Sequence, residues 1–165
     1  DRIKELRRVP ASALQANPLN WRTHPSAQTA ALEGVLREVG FAGALLARET
    51  AGGGLVLIDG HLRKDVAGDQ DVPVLVLDVT EAEARVLLAS YDPLGAMAET
   101  NAEALEALLR EVTVSDAALQ EMLAGLAEQA GITPPDFQPT GVEEQGRLDQ
   151  KTAVTCPECG HEFTP

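Results

Sequence analysis

The stretch Leu55-Val56-Leu57-Ile58-Asp59-Gly60-His61-Leu62-Arg63-Lys64 follows the glycine run Gly52-Gly53-Gly54. Four apolar residues in a row after such a run predict a buried strand leaving a tight reversal. Asp59 is a good N-cap type, so the chain is expected to pass straight from strand to helix at Asp59-Gly60. A junction of that kind aims free backbone N–H groups and a positive helix end at one point, where an anion is favoured. Gly60 admits a ligand close to the backbone, and His61, Arg63 and Lys64 add side-chain donors within one turn. Arg63 also has the forked geometry for bidentate contact with phosphate. These residues fit a phosphate-bearing ligand and, equally well, the solvated basic first turn of an ordinary helix.

Upstream, Phe41 to Glu49 predicts the strand that pairs antiparallel with Leu55–Ile58 across the glycine turn. Ser26 to Val39 predicts a helix with Ala30, Ala31, Val35, Leu36 and Val39 on its apolar face and Gly40 as its C′ residue. Ahead of it, residues 17–25 form a proline-punctuated loop holding Asn17, Asn20, Trp21, Arg22 and His24. In one reading Trp21 pins this loop to the core and Arg22 is solvated; in the other, Asn20 and Arg22 stand beside a ligand. Ala11–Leu14 is expected to be one turn, and Ile3, Leu6 and Val9 suggest a first edge strand.

Downstream, a brief helix from Gly60 to about Gly68 leads into an apolar strand, Val72–Val79. Thr80 and Glu83 form a capping box opening a helix from Glu81 to about Tyr91, which Pro93 should end. A second box, Thr100 with Glu103, precedes Ala104, Leu105, Leu108, Leu109 and Val112 at helical spacing. Ser115 is expected to cap a third helix, with Leu119, Met122, Leu123 and Leu126 on one face. The last two helices predict an αα-hairpin used for packing or dimerisation. The expected organisation is an α/β domain over 1–95, the helical hairpin over 96–131, a Pro/Gly/Gln-rich flexible linker over 132–154 and a tail over 155–165.

The segment LVLIDGHLRKDVA resembles the central box of the ParB/sulfiredoxin superfamily, in which a strand ends in a Gly-x-x-Arg turn that opens a helix. Ala16-Asn17-Pro18-Leu19-Asn20-Trp21-Arg22 is similar to that family's opening Asn-Pro-x-x-x-Arg segment. The likeness spans roughly residues 5–95 and is nearest to ParB-like (ParB-like nuclease) domains of phages and prophages, often encoded with DNA methyltransferases. It implies a small mixed sheet with flanking helices. It also implies nucleotide phosphates held at Gly60, His61 and Arg63, with Asn17, Asn20, Arg22, Asp59 and Lys64 around them. A box arginine usual in ParB is replaced here by Leu62. Where ParB has a Glu-Asn pair that helps hold Mg²⁺, and methylase-associated relatives often Asp-Asn, this chain has Tyr91-Asp92, leaving Asp92 as an oxygen ligand. That difference bears on hydrolysis more than on binding.

Sulfiredoxin chemistry needs a thiol in the central turn, where this chain has His61; no cysteine precedes Cys156. The superfamily also includes a free-serine kinase with a similar turn, for which His61, Asp59 or Asp65 are candidate bases. A nuclease would need clustered carboxylates and a basic track, and neither is evident.

Charge limits the partners. Residues 1–64 carry 9 Lys/Arg and 6 Asp/Glu, whereas residues 65–165 carry 4 and 20. A polyanion such as DNA is repelled by the acidic majority, so direct DNA binding by this chain alone is not expected, while a small phosphate ligand suits the basic end. The sequence contains no membrane-length apolar run and no secretory signal, and a cytoplasmic setting is the default. The start at Asp1 is compatible with a fragment. Near the end, Cys156-Pro157-Glu158-Cys159-Gly160-His161 resembles one knuckle of a zinc ribbon. Cys156, Cys159 and His161 offer three of the four ligands Zn²⁺ wants; a partner copy or a longer chain would supply the rest, or the knuckle is vestigial.

The expected function is a CTP/ATP-type nucleotide-binding, ligand-gated module in phage or prophage DNA modification or packaging. It would use Mg²⁺, with a protein partner such as a methyltransferase or terminase and possible homodimerisation. The alternatives are an NTPase or small-molecule kinase using the same pocket, with His61 or Asp59 catalytic, and a non-catalytic adaptor.

Overall fold

The computed structural model describes Asp1–Ile132, together with the backbone of two short strands, Val154–Thr155 and Glu162–Phe163. Along the chain come β1 (Ile3–Pro10), a 3₁₀ turn (Ala11–Ala13), β2 (Leu14–Gln15), α1 (Ser26–Glu38), β3 (Leu45–Glu49) and β4 (Leu55–Asp59). These are followed by α2 (His61–Ala67), β5 (Asp71–Leu77), α3 (Glu81–Ala96), α4 (Ala102–Glu111) and α5 (Ala117–Gln129). The sheet is mixed and five-stranded, in the order β1-β5-β3-β4-β2. β1 is antiparallel to β5, β3 parallel to β5, β4 antiparallel to β3, and β2 parallel to β4.

Alternation along the strands divides the apolar residues between two faces. Leu45, Ala47, Leu55, Leu57, Val72, Val74 and Val76 form one core with Ala11, Leu14 and Ala67, closed by Val9 and Phe41. Ile58, Leu77 and Ala84 form the other with Leu46, Leu75, Val79 and Leu87, so α3 covers that face. A sheet buried on both sides has continuous apolar runs, which is why Leu55–Ile58 shows no alternation in sequence.

The hairpin forms as expected: Thr50 N–H donates to the Gly54 carbonyl (2.8 Å) and Gly53 N–H to the Thr50 carbonyl (2.9 Å). Its first strand is shorter than expected: pairing begins only at Leu45 with β5 and at Leu46 with β4. Gly40, at φ 83°, closes α1 by donating to the Leu36 carbonyl. The inward positions of α1 are Ala31 and Gly34; Val39 is exposed.

The Thr80–Glu83 capping box is complete, and Arg2 donates to both Glu83 oxygens (3.0 and 3.1 Å), tying β1 to α3. Arg2 and the Thr80 donors hold the Glu83 carboxyl far below its ordinary range, at about 2. Pro93 does not end α3. The helix continues to Ala96, with the Pro93 carbonyl accepting from Met97 N–H. Proline removes its own donor but keeps an acceptor, so in a terminal turn it costs one bond without stopping the chain.

Two other expected caps move by one residue. Asn101, not Thr100, caps α4 through its Oδ1 and Ala104 N–H (3.0 Å). Asp116, not Ser115, caps α5 through Leu119 N–H (3.0 Å). Ser115 is engaged elsewhere, donating its N–H (2.7 Å) and hydroxyl to Glu38 at the end of α1. Arg37 pairs with Asp116 (2.6 Å), and a Cβ on Gly34 would stand 2.5 Å from Asp116 Oδ1. Gly34 thus lets the start of α5 dock tightly on α1, beside α4, and Asp1–Ile132 make one compact unit.

In the tail, the backbones of Val154–Thr155 and Glu162–Phe163 pair antiparallel. Cys156, Cys159 and His161 lie outside the described residues, as does most of the expected linker. Among the described residues no helix is long and apolar enough to cross a membrane, and no group of three or more His, Cys, Asp or Glu gathers at one point.

Candidate functional site

A cavity of about 220 Å³ opens where β4 runs into α2. Its walls come from separate elements: Asn20, Arg22, Thr23 and His24 from the loop before α1, Gln28 and Leu32 from α1, and Leu88 and Asp92 from α3. Ile58 through Arg63 form the floor. The carboxyl end of a central strand is where open α/β sheets place ligands, because the flanking loops diverge there.

The strand–helix junction is built differently from its sequence expectation. Gly60, not Asp59, occupies the N-cap position, at φ 96° and ψ 23°, and no side chain caps α2. The Asp59 carboxylate instead accepts from Arg63 Nη2 at 2.6 Å, an i,i+4 ion pair. Gly60 has a packing reason beyond ligand access: an added Cβ would sit 2.6 Å from Leu45 Cγ, in a backbone conformation that side chains resist. α2 has only seven residues, so a helix dipole adds little and the polar groups themselves must do the recognition.

His61 is 9% exposed, and its Nε2 accepts the backbone N–H of Asn17 at 3.2 Å. That bond fixes the neutral imidazole with its proton on Nδ1. Burial is the main cause lowering its pKa below the ordinary 6.5; Asp59 and Asp65 oppose the shift. A general base needs a free lone pair, so His61 would have to release Asn17 to act as one.

Asn17 is a scaffold for the loop. Its Nδ2 donates to the Leu57 carbonyl (3.1 Å) and its Oδ1 accepts from Leu19 N–H (3.0 Å). Asn17 does not line the 220 Å³ cavity, and neither does Lys64, which pairs with Asp65 at 3.3 Å. Of the two loop alternatives, the one that buries Trp21 in the core and leaves Arg22 solvated needs revision, while Asn20 and Arg22 both line the cavity. Trp21 is 56% exposed; its indole N–H reaches the Leu88 carbonyl at 3.4 Å, so it leans on α3 without entering the core. Arg22 lies 4.9 Å from the Trp21 ring centroid and donates through Nε to Asp92 at 2.7 Å.

The structure therefore brings Asn20, Arg22, Asp59, Gly60, His61, Arg63 and Asp92 to one cavity from three distant stretches. Thr23, Gln28, Leu32 and Leu88 also line it and were not singled out in sequence. Spacing offered a signal: Gln28 and Leu32 share a face of α1, and Leu88 lies one turn before Asp92 on α3. His24 Nδ1 meets Gln28 Oε1 at 3.0 Å, completing the α1 side. A second cleft of about 460 Å³ lies beyond the same loop, lined by Gln15 to Leu19, Arg48, Val56, Ile58, Glu81, Ala84 and Arg85. Ile58 belongs to both.

No family model matches the sequence, and no curated protein matches it. Solved structures do match. The C-terminally truncated chromosome-partitioning protein ParB from Caulobacter crescentus, complexed with CTP-γ-S, aligns with a TM-score of 0.53 at 21% identity, covering 74% of this chain and 79% of that one. The same protein complexed to the centromeric parS site aligns at 0.44 and 18% identity, over 83% and 77% of the two chains. Sulfiredoxin from Arabidopsis thaliana aligns at 0.43 and 15% identity, over 51% and 97%. The chain has a ParB-like mixed α/β fold, the fold class that the sequence resemblance implied.

Proposed function

We propose that this chain is a ParB-like nucleotide-binding module, with a nucleoside triphosphate as ligand and the cavity at the end of β4 as the seat of its phosphates. The observation that carries this reading is the convergence of Arg22, from the loop before α1, and Arg63, from α2, on one cavity that also holds Gly60 and two carboxylates. A cavity of about 220 Å³ is smaller than a whole-nucleotide site and suits a phosphate chain. The adjoining 460 Å³ cleft has room for a nucleoside. The CTP-γ-S held by the ParB of similar fold supports the choice of ligand class.

The residues also fit Mg²⁺. That ion is usually held by one or two carboxylates plus substrate phosphates, and Asp59 and Asp92 line the same cavity. When bound, the ion would neutralise phosphate charge. The chain's own residues would do the rest: Arg22 and Arg63 bind phosphate oxygens, Gly60 allows close approach, and neutral His61 holds Asn17 so that the loop over residues 17–22 keeps its shape. Because that loop also touches α3 through Trp21 and Arg22, a ligand that reorders it alters the surface of α3. This would be the switch offered to a protein partner. A DNA methyltransferase or terminase in a phage or prophage setting, a homodimer, and zinc at Cys156, Cys159 and His161 complete the proposal on the sequence resemblance.

A kinase or NTPase reading is the alternative, because Asp59 faces the same cavity and could accept a proton from an attacking hydroxyl. Equilibrium binding of labelled CTP, ATP and GTP with Mg²⁺, on wild type and Arg63→Ala, tests the main reading. We expect wild-type binding and a loss of ~1.5–3 kcal/mol in the variant, the size of a charge-assisted contact. Absence of binding by wild type, or full affinity in the variant, removes the reading. Phosphate release or transfer to serine would move it to the enzyme alternative.

A further inference from the structure

Both arginines of the cavity already hold a carboxylate that lines the same cavity. Arg63 donates to Asp59 at 2.6 Å and, at 3.4 Å, to the Ala44 carbonyl; Arg22 donates to Asp92 at 2.7 Å. Asp59 and Asp92 cancel the formal charge of the two arginines, so the cavity as it stands is not an electropositive basket. The four side chains are between about a quarter and two fifths exposed, enough for the pairs to open and enough burial for the pairing to matter.

We propose that Asp59 and Asp92 act as internal competitors for the phosphate-binding arginines, so that the free protein is self-occupied and a bare polyphosphate binds poorly. This rests on the reading of the cavity as a phosphate site and adds its regulation. A phosphate group entering alone must take each guanidinium from a carboxylate that then loses its partner beside a new anion. A ligand that brings a divalent cation removes that conflict, because the displaced carboxylates gain a positive partner as the arginines turn to phosphate. The pocket thereby discriminates between a metal-chelated polyphosphate and a free one, and the two aspartates set the discrimination.

The inference predicts a gain of affinity from removing charged residues of the site. Full-length wild type, Asp59→Asn, Asp92→Asn and the double variant would be titrated with inorganic tripolyphosphate and with CTP, each in EDTA and in Mg²⁺, with thermal unfolding as the folding control. In EDTA, Asp59→Asn and Asp92→Asn should each bind tripolyphosphate about two- to fivefold more tightly than wild type, given what partly exposed ion pairs are worth. The benefit of Mg²⁺ should shrink in the double variant. Unchanged or weaker binding in EDTA by folded variants overturns the competitor role while leaving the phosphate site intact. Should Asp59→Asn fail to fold, Asp92→Asn decides by the same criterion. No binding by wild type or any variant, with or without Mg²⁺, overturns the phosphate site and this inference together.

Discussion

At the β4–α2 junction successive residues are each fixed by another element, whereas α4, ten residues long, buries none of its side chains. Leu57 lies in the core and its carbonyl receives Asn17; Ile58 packs toward α3; Gly60 abuts Leu45; His61 receives the Asn17 N–H. α4 is well patterned, with Leu105, Leu108 and Leu109 at helical spacing and Asn101 as cap, yet Leu108 is 59% exposed. Periodicity and capping mark where a helix starts and which residues share a face. They do not bury that face, and a site needs partners on several sides to hold its geometry.

The largest expected effect is at the crowded end of that contrast. Gly60→Ala forces a left-handed conformation on a residue with a Cβ and drives it against Leu45, so stability should fall by about 2–5 kcal/mol in denaturant titration. A value near zero would mean that the junction is looser than its contacts imply.

The pH dependence sharpens the same point. Burial lowers the pKa of His61, so the unfolded chain takes up a proton at this site at a higher pH than the folded one. Its contribution to stability is therefore present above the ordinary 6.5 and is lost as pH falls below it, through the lowered folded value. Thermal unfolding followed from about pH 8 to about pH 5 should show this loss in wild type, and His61→Gln should lack that component. Hydrogen exchange at the Asn17 amide should quicken over the same interval, since imidazolium cannot accept its N–H.

The smallest effect belongs to α4. Leu108→Ser should change stability by less than ~0.5 kcal/mol, because its side chain is already mostly in water. A larger loss would show that α4 is covered in solution.

Much of the fold was legible beforehand. The glycine turn, the apolar runs of β4 and β5, the Gly40 stop and the Thr80–Glu83 box are local signals, each requiring only near neighbours in sequence. Of the candidate site, Gly60, His61 and Arg63 were visible because they lie in one turn. Arg22 was visible as one of two alternatives for its loop and Asp92 entered through family resemblance, but their meeting across 70 residues was not legible. Expectations failed where another group claimed the side chain. Asp59 went to Arg63, one turn along α2, instead of capping the helix, and Ser115 went to the distant Glu38 instead of the α5 cap; Asn17, held by His61 and Leu57, lines the adjoining cleft and not the 220 Å³ cavity.

The sequence by itself determined the order of the longer strands and helices, though not the two-residue β2, and the fact that a glycine-borne turn with basic residues follows β4, because hydrophobic period and turn chemistry act over a few residues. Only the tertiary structure decided which charges face one another in the cavity. The Arg22–Asp92 pair depends on the loop before α1 meeting α3, and with Arg63–Asp59 it cancels, at 2.6–2.7 Å, the positive character that composition alone suggests.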